Sequence, residues 1–225
     1  MITKISIKGL YGYLNAEYNF SEPVSIITGP NGCGKTTLLK MVQAVLNPDP
    51  DLLDWFWSVK FDEFKIEFDD GKHLTFDSNG VVDTNAIQSI NTDVINVDNE
   101  YPYDFVARLD QECFVEMINK SLYNKHIEVD NQRNIHIKHD DQELPLVLSD
   151  GEKRLFTIYQ QAIFRANRKT VLIIDEPERS IHIETQEQLV YNMLKIAKIN
   201  GCQIIMATHS PNIINGHVEL IAQRK

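Results

Sequence analysis

Gly29-Pro30-Asn31-Gly32-Cys33-Gly34-Lys35-Thr36-Thr37 is the stretch on which the rest of the chain is organised. Gly29 and Gly34 bracket four residues and are followed by Lys35 and Thr36, the pattern of a phosphate-binding loop. Glycine at 29, 32 and 34 lets the backbone adopt φ > 0 and press its N–H groups against phosphate oxygens, where a Cβ would collide. Lys35 supplies a compact positive charge for the β- and γ-phosphates, and the Thr36 hydroxyl suits Mg²⁺. Gly29, Asn31, Gly32, Cys33, Gly34, Lys35, Thr36 and Thr37 are therefore expected to line a bound nucleotide. Upstream, Val24-Ser25-Ile26-Ile27-Thr28 reads as a short buried strand. Downstream, Leu38, Leu39, Val42, Val45 and Leu46 fall at helical spacing, so the phosphates would meet a helix N-terminus. At ~7% glycine usage, a chance match in a chain this long is on the order of one percent.

The 225 residues suffice for one large domain with a sizeable core. No apolar run reaches the ~18 residues of a transmembrane helix. The N-terminal Met-Ile-Thr-Lys-Ile lacks the build of a signal peptide. Cys33, Cys113 and Cys202 are too few and too scattered for a disulfide framework or a zinc site, which points to the cytoplasm. The formal net charge of −10 argues against a free-standing, non-specific DNA binder. It leaves open DNA contact through a local patch or a partner.

Before the glycine loop, Ile5 and Ile7 alternate with charged and polar residues, and Gly9 to Gly12 turn the chain toward Leu14–Tyr18, predicting two strands. Tyr11 or Tyr13 is placed to stack on an adenine, or simply to pack. Asn47-Pro48-Asp49-Pro50 stops the first helix. Phe64, Ile66 and Phe68 alternate with Glu63, Lys65 and Glu67, and Asp69-Asp70-Gly71 turns into His73–Phe76, a hairpin signal. Val94–Val97 reads as a strand, Tyr103–Asn124 as helical, and Ile127–Val129 with Ile135–Ile137 as a second hairpin. The expected organisation is one domain, with 1–49 and 147–225 forming a nucleotide-binding α/β core. An antiparallel sheet with helices, 50–146, is inserted into it.

Three further signals follow in the second half. Leu148-Ser149-Asp150-Gly151-Glu152 is a loop entering a helix whose apolar face is Leu155, Phe156, Tyr159 and Ile163. Thr170–Ile174 is an all-apolar run ending in Asp175 and Glu176, as a central parallel strand should be. Ile204–Thr208 is another buried strand, ending at His209. In an open parallel sheet, chemistry gathers at the strands' carboxyl ends.

Together these residues resemble the ATP-binding-cassette (ABC) superfamily of P-loop ATPases. Gly29–Thr36 looks like its Walker A loop, Leu148–Glu152 like its signature motif, Val171–Glu176 like Walker B, Ser180-Ile181-His182 like the D-loop, and His209 like the switch histidine. The Gly-Glu-Lys ending of the signature, Asp175-Glu176-Pro177-Glu178-Arg179-Ser180 and Ala207-Thr208-His209-Ser210-Pro211 look like the soluble RecF-, SMC- and OLD-like branch, including ATPases of bacterial anti-phage systems. The nucleotide-binding subunit of an ABC transporter is the alternative.

The resemblance implies an ABC-ATPase head: a mostly parallel core sheet with helices, an antiparallel β subdomain and inserted helices. It implies ATP and Mg²⁺ as cofactors, with Thr36 and Asp175 on the metal, Glu176 as general base and Lys35 and His209 on the phosphates. Ser149, Gly151 and Glu152 would reach the nucleotide of a second copy, so the partners implied are a head-to-tail homodimer and a separate effector such as a nuclease or toxin. The chain carries no long coiled coil and, as read, no nuclease domain after residue 225. Asp150 replaces the small residue usual in the signature. Gln88 and Gln111 are the candidates for the glutamine of the Q-loop.

Overall fold

The computed structural model describes residues 1–84, 93–97, 111–132, 134–139, 142–144 and 148–224. In chain order these form β1 (Ile2–Leu10), β2 (Leu14–Asn19), β3 (Val24–Thr28), α1 (Lys35–Leu46), α2 (Pro50–Ser58), β4 (Glu63–Phe68), β5 (His73–Asp77), β6 (Gly80–Thr84) and β7 (Asp93–Asn96). There follow α3 (Gln111–Asn119), β8 (His126–Val129), β9 (Ile135–His139), β10 (Gln142–Leu144), α4 (Asp150–Gln160), β11 (Thr170–Asp175), α5 (Ile183–Asn200), β12 (Gln203–Thr208), α6 (Pro211–Ile214) and β13 (Gln223–Arg224).

The centre is a four-stranded parallel sheet in the order β3-β12-β11-β7. β3, β11 and β12 are buried on both faces along nearly their whole length, which explains their largely apolar runs. Leu172 and Ile174 of β11 and Ile204 and Met206 of β12 pack into one core with α3, α4 and α5. The alternate residues Val171, Ile173, Ile205 and Ala207 pack into a second core with α1 and the antiparallel sheet. A strand's period of two thus divides each core strand between two layers.

The antiparallel sheet has six strands in the order β13-β2-β1-β4-β5-β6. The two strands expected before the glycine loop pair as β1 with β2, the expected hairpin of β4 with β5 forms, and β4 pairs in turn with β1, Ile5 opposite Ile66 and Ile7 opposite Phe64. The outward positions carry opposite charges across the strands, Lys4 with Glu17 at 3.1 Å and Lys8 with Glu63 at 2.7 Å. The second expected hairpin, β8 with β9, belongs to a separate three-stranded sheet with β10. Residues 50–146, expected as an inserted region, therefore contribute strands to all three sheets, including the edge strand β7 of the parallel one.

Two local readings change. The Asn47–Pro50 stop holds for α1, but Pro50 then opens α2, because the Asp49 carboxylate accepts from the N–H groups of Asp51 and Leu52 at 3.0 and 3.3 Å. The helix expected over 103–124 is described only as α3, ending at Asn119; residues 103–110 lie outside the described residues.

Candidate functional site

The parallel sheet delivers three loops to one edge. Thr28 of β3 is level with Thr208 of β12, and Ala207 of β12 with Asp175 of β11. The glycine loop, the Asp175-Glu176 pair and His209 therefore leave adjacent strands at the same height. Their convergence follows from three buried strands side by side, not from their separation in sequence.

Gly29, Asn31, Gly32 and Cys33 form the turn between β3 and α1. Gly34, at φ 86°, is the left-handed residue on which α1 begins, and a Cβ there would come within 2.9 Å of Leu10 Cδ2. Lys35 is not the exposed side chain that a loop lysine suggests. It is 8% exposed, and its Nζ donates to the carbonyls of Gly29 at 2.8 Å and Pro30 at 3.1 Å, with Cys33 Sγ at 3.8 Å. The ammonium is thus held inside the curl of the loop, where phosphate oxygens would exchange for carbonyls. Thr36 is exposed at the helix start. Thr37 shares a 2.5 Å hydrogen bond with the Tyr11 hydroxyl, which places Tyr11 against the loop, while Tyr13 is 74% exposed.

Asp175 is the last residue of β11, and its carbonyl accepts from Arg154 Nη2 at 2.7 Å; Arg154 Nη1 donates to Val97 O at 3.1 Å. An arginine from α4 thus pins the ends of two core strands. Glu176 has φ 46°, in the left-handed region that a non-glycine residue enters only when its surroundings hold it there. Its N–H donates to Ala207 O at 2.9 Å. Beyond β12, His209 Nδ1 lies 3.8 Å from Glu176 Oε1 and 3.4 Å from Glu178 Oε1. Glu178, together with Arg154 and Lys125, is a site neighbour that sequence reasoning missed. The only signal for Glu178 is its place in Asp-Glu-Pro-Glu, and spacing does not reveal that its side chain is only 10% exposed.

The signature residues stand apart from these loops. Ser149 caps α4 in a capping box: Glu152 N–H donates to Ser149 Oγ at 3.4 Å, and Ser149 N–H to Glu152 Oε2 at 2.7 Å. Lys125 Nζ reaches the same carboxylate oxygen at 2.8 Å. Burial pushes the Glu152 carboxyl up, but Lys125 and the Ser149 N–H outweigh it and hold the group below its ordinary range. Ser149, Gly151 and Glu152 line a cavity of about 690 Å³ with Ser180, Ile181 and His182; no glycine-loop residue lines it. Asp150 is 89% exposed, its side chain 3.8 Å from Lys153 Nζ. Of the Q-loop candidates, Gln111 opens α3 and Gln88 lies outside the described residues.

A family model described as "AAA domain, putative AbiEii toxin, Type IV TA system" matches residues 52–215, and one described as "AAA ATPase domain" matches residues 1–97. A putative ABC transporter ATP-binding protein of Methanosarcina mazei is 25% identical over 96% of this chain, which spans 41% of that relative's length. Among solved structures, the SMC head domain from Thermotoga maritima superposes with a TM-score of 0.60 at 17% identity, over 95% of this chain and 90% of that one. A dimeric bacterial ABC transporter cassette gives a TM-score of 0.50 at 17% identity, over 98% and 97%. Among the described residues no helix is long and apolar enough to cross a membrane. The chain belongs to the family described as AAA domain, putative AbiEii toxin, Type IV TA system, and shares the fold of SMC head domains and ABC cassettes.

Proposed function

We propose that this chain binds Mg-ATP at the glycine loop and hydrolyses it between two head-to-tail copies, and that the resulting cycle of association and release controls a separate effector. The observation that carries the reading is the level exit of the glycine loop, Asp175-Glu176 and His209 from three adjacent parallel strands.

The Gly29–Thr37 backbone and Lys35 bind the phosphates at the start of α1. Thr36 and Asp175 offer a hydroxyl and a carboxylate, oxygen donors that fit a hard cation, and are the residues that would hold Mg²⁺. When bound, that ion neutralises charge on the β- and γ-phosphates. Glu176, one residue past the metal carboxylate and 47% exposed, accepts the proton of the attacking water. His209 orients the γ-phosphate side of the same site. Tyr11, anchored to Thr37, is better placed than Tyr13 to contact the base.

Ser149 and the N–H groups opening α4 suit an anion but face a cavity that the glycine loop does not line. Contacting the γ-phosphate bound by a partner copy is the role that accounts for this separation. Asp150 puts a carboxylate beside that contact and weakens closure.

The effector would be a nuclease or toxin, with DNA or a phage cue as trigger. The family description, which names a putative toxin system, supports this reading. The test is tandem-affinity recovery of the chain with the product of the adjoining gene, with and without ATP; recovery of an integral membrane protein instead would favour a transporter. That second reading is favoured by the names of relatives such as the Methanosarcina mazei protein.

A further inference from the structure

Glu178 is a carboxylate that the mechanism above does not use. Its side chain is 10% exposed, its Oε1 accepts from the His209 N–H at 3.2 Å, and the same oxygen lies 3.4 Å from His209 Nδ1. Its Oε2 is buried, and no described group donates to it. A buried carboxylate left half-satisfied is costly and calls for a reason.

Anchoring the loop after β12 is not that reason, because other groups already do it. Ser210 Oγ donates to Gln186 Oε1 at 2.6 Å, Gln186 Nε2 donates to Ile181 O at 3.0 Å, and Ser210 N–H donates to Thr208 Oγ1 at 2.9 Å. What remains unfixed without Glu178 is the imidazole ring, which is 48% exposed. Two carboxylates, Glu178 and the more distant Glu176 at 3.8 Å, lie beside the same ring nitrogen.

We infer that Glu178 is a positioning residue for the switch histidine: its buried carboxylate keeps the proton on Nδ1 and fixes the ring, leaving Nε2 to face the γ-phosphate. The inference rests on the reading of His209 given above. A carboxylate behind a working imidazole sets its tautomer and orientation, and replacing such a partner costs about 10- to 100-fold in activity.

The test is a kinetic cycle of Glu178→Gln, His209→Ala and the double variant in steady-state ATP hydrolysis. Glu178→Gln, which keeps an acceptor for the His209 N–H, is expected to lower kcat about 10-fold or more with little change in KM. In the His209→Ala background the same substitution is expected to change kcat less than about 3-fold, because residues acting as a unit are non-additive. Equal losses in both backgrounds would overturn the inference while leaving the site assignment intact. Wild-type hydrolysis by His209→Ala would overturn both.

Long-range ¹H–¹⁵N spectra of the unmodified protein give a check that does not depend on how the variants fold. The His209 signals, identified by their loss in His209→Ala or by elimination among the seven histidines, are expected to show a protonated Nδ1. A bare Nδ1 would overturn the inference.

Discussion

The carbonyl oxygen of Ser180 lies 2.1 Å from where a Cβ on Gly151 would stand, so the start of α4 and the turn before α5 touch backbone to backbone. Gly151 is buried, and the two segments share one wall of the same cavity. A glycine is required there for close approach rather than for an unusual φ. Gly151→Ala must therefore move one backbone or the other. We predict a loss of about 1–3 kcal/mol in stability, the usual cost of overpacking, with hydrolysis impaired and ATP affinity kept. Thermal unfolding and calorimetry with ATP check it; an alanine variant that melts and hydrolyses like the parent would show that the contact is soft.

Lys35→Ala should abolish ATP binding. Because Lys35 also donates to Gly29 O and Pro30 O, it should cost about 1 kcal/mol of stability as well. Calorimetry on the folded variant measures the first effect and a melting curve the second. Retained micromolar affinity would remove the loop assignment.

Much of this was legible in the sequence, and what was not has physical reasons. Val24–Thr28, Thr170–Asp175 and Gln203–Thr208 are readable because strands covered on both faces must be apolar throughout. The β4–β5 hairpin is readable because one of its faces meets the charged exterior. Which strand β4 would join was not readable: the pairing of Ile5 with Ile66 spans most of the N-terminal half, and a period of two names no partner. The α2 helix was hidden because proline, a stop signal after α1, is equally a first-turn residue. The motif residues showed where chemistry would lie, but motifs do not report burial. Hence the burial of Lys35 and of Glu178 could not be read from them.

Acid should loosen the signature end of α4. The Glu152 carboxyl is held below its ordinary value in the folded chain, so its contribution is complete above the unfolded value and is lost as pH falls through the lowered folded value. Glu152→Gln should therefore be about 1 kcal/mol less stable than wild type at neutral pH, the usual weight of a cap, and the gap should close as pH drops below the ordinary carboxylate range. Melting temperatures from pH 7 down to about pH 3, below the ordinary carboxylate range, measure it; a gap that widens on acidification has the wrong sign.

Glu176→Gln should bind Mg-ATP and turn it over at least ~100-fold more slowly, the usual weight of a general base. Its φ of 46° leaves the backbone as the parent has it, since glutamine and glutamate tolerate that region equally poorly. Phosphate release near the parent rate would move the base to another residue.

The central claim, that one chain carries two half-sites, is tested most directly by light scattering on Glu176→Gln and Ser149→Arg with and without Mg-ATP. A ligand shifts association only through different affinity for the two states, so ATP must favour the dimer if Ser149 and Gly151 close on a partner's phosphate. Glu176→Gln should gain mass with Mg-ATP and stay a dimer, because hydrolysis no longer releases it. Ser149→Arg should bind ATP, fail to associate and lose hydrolysis. An unchanged mass and radius for Glu176→Gln, with normal hydrolysis by Ser149→Arg, would contradict the account.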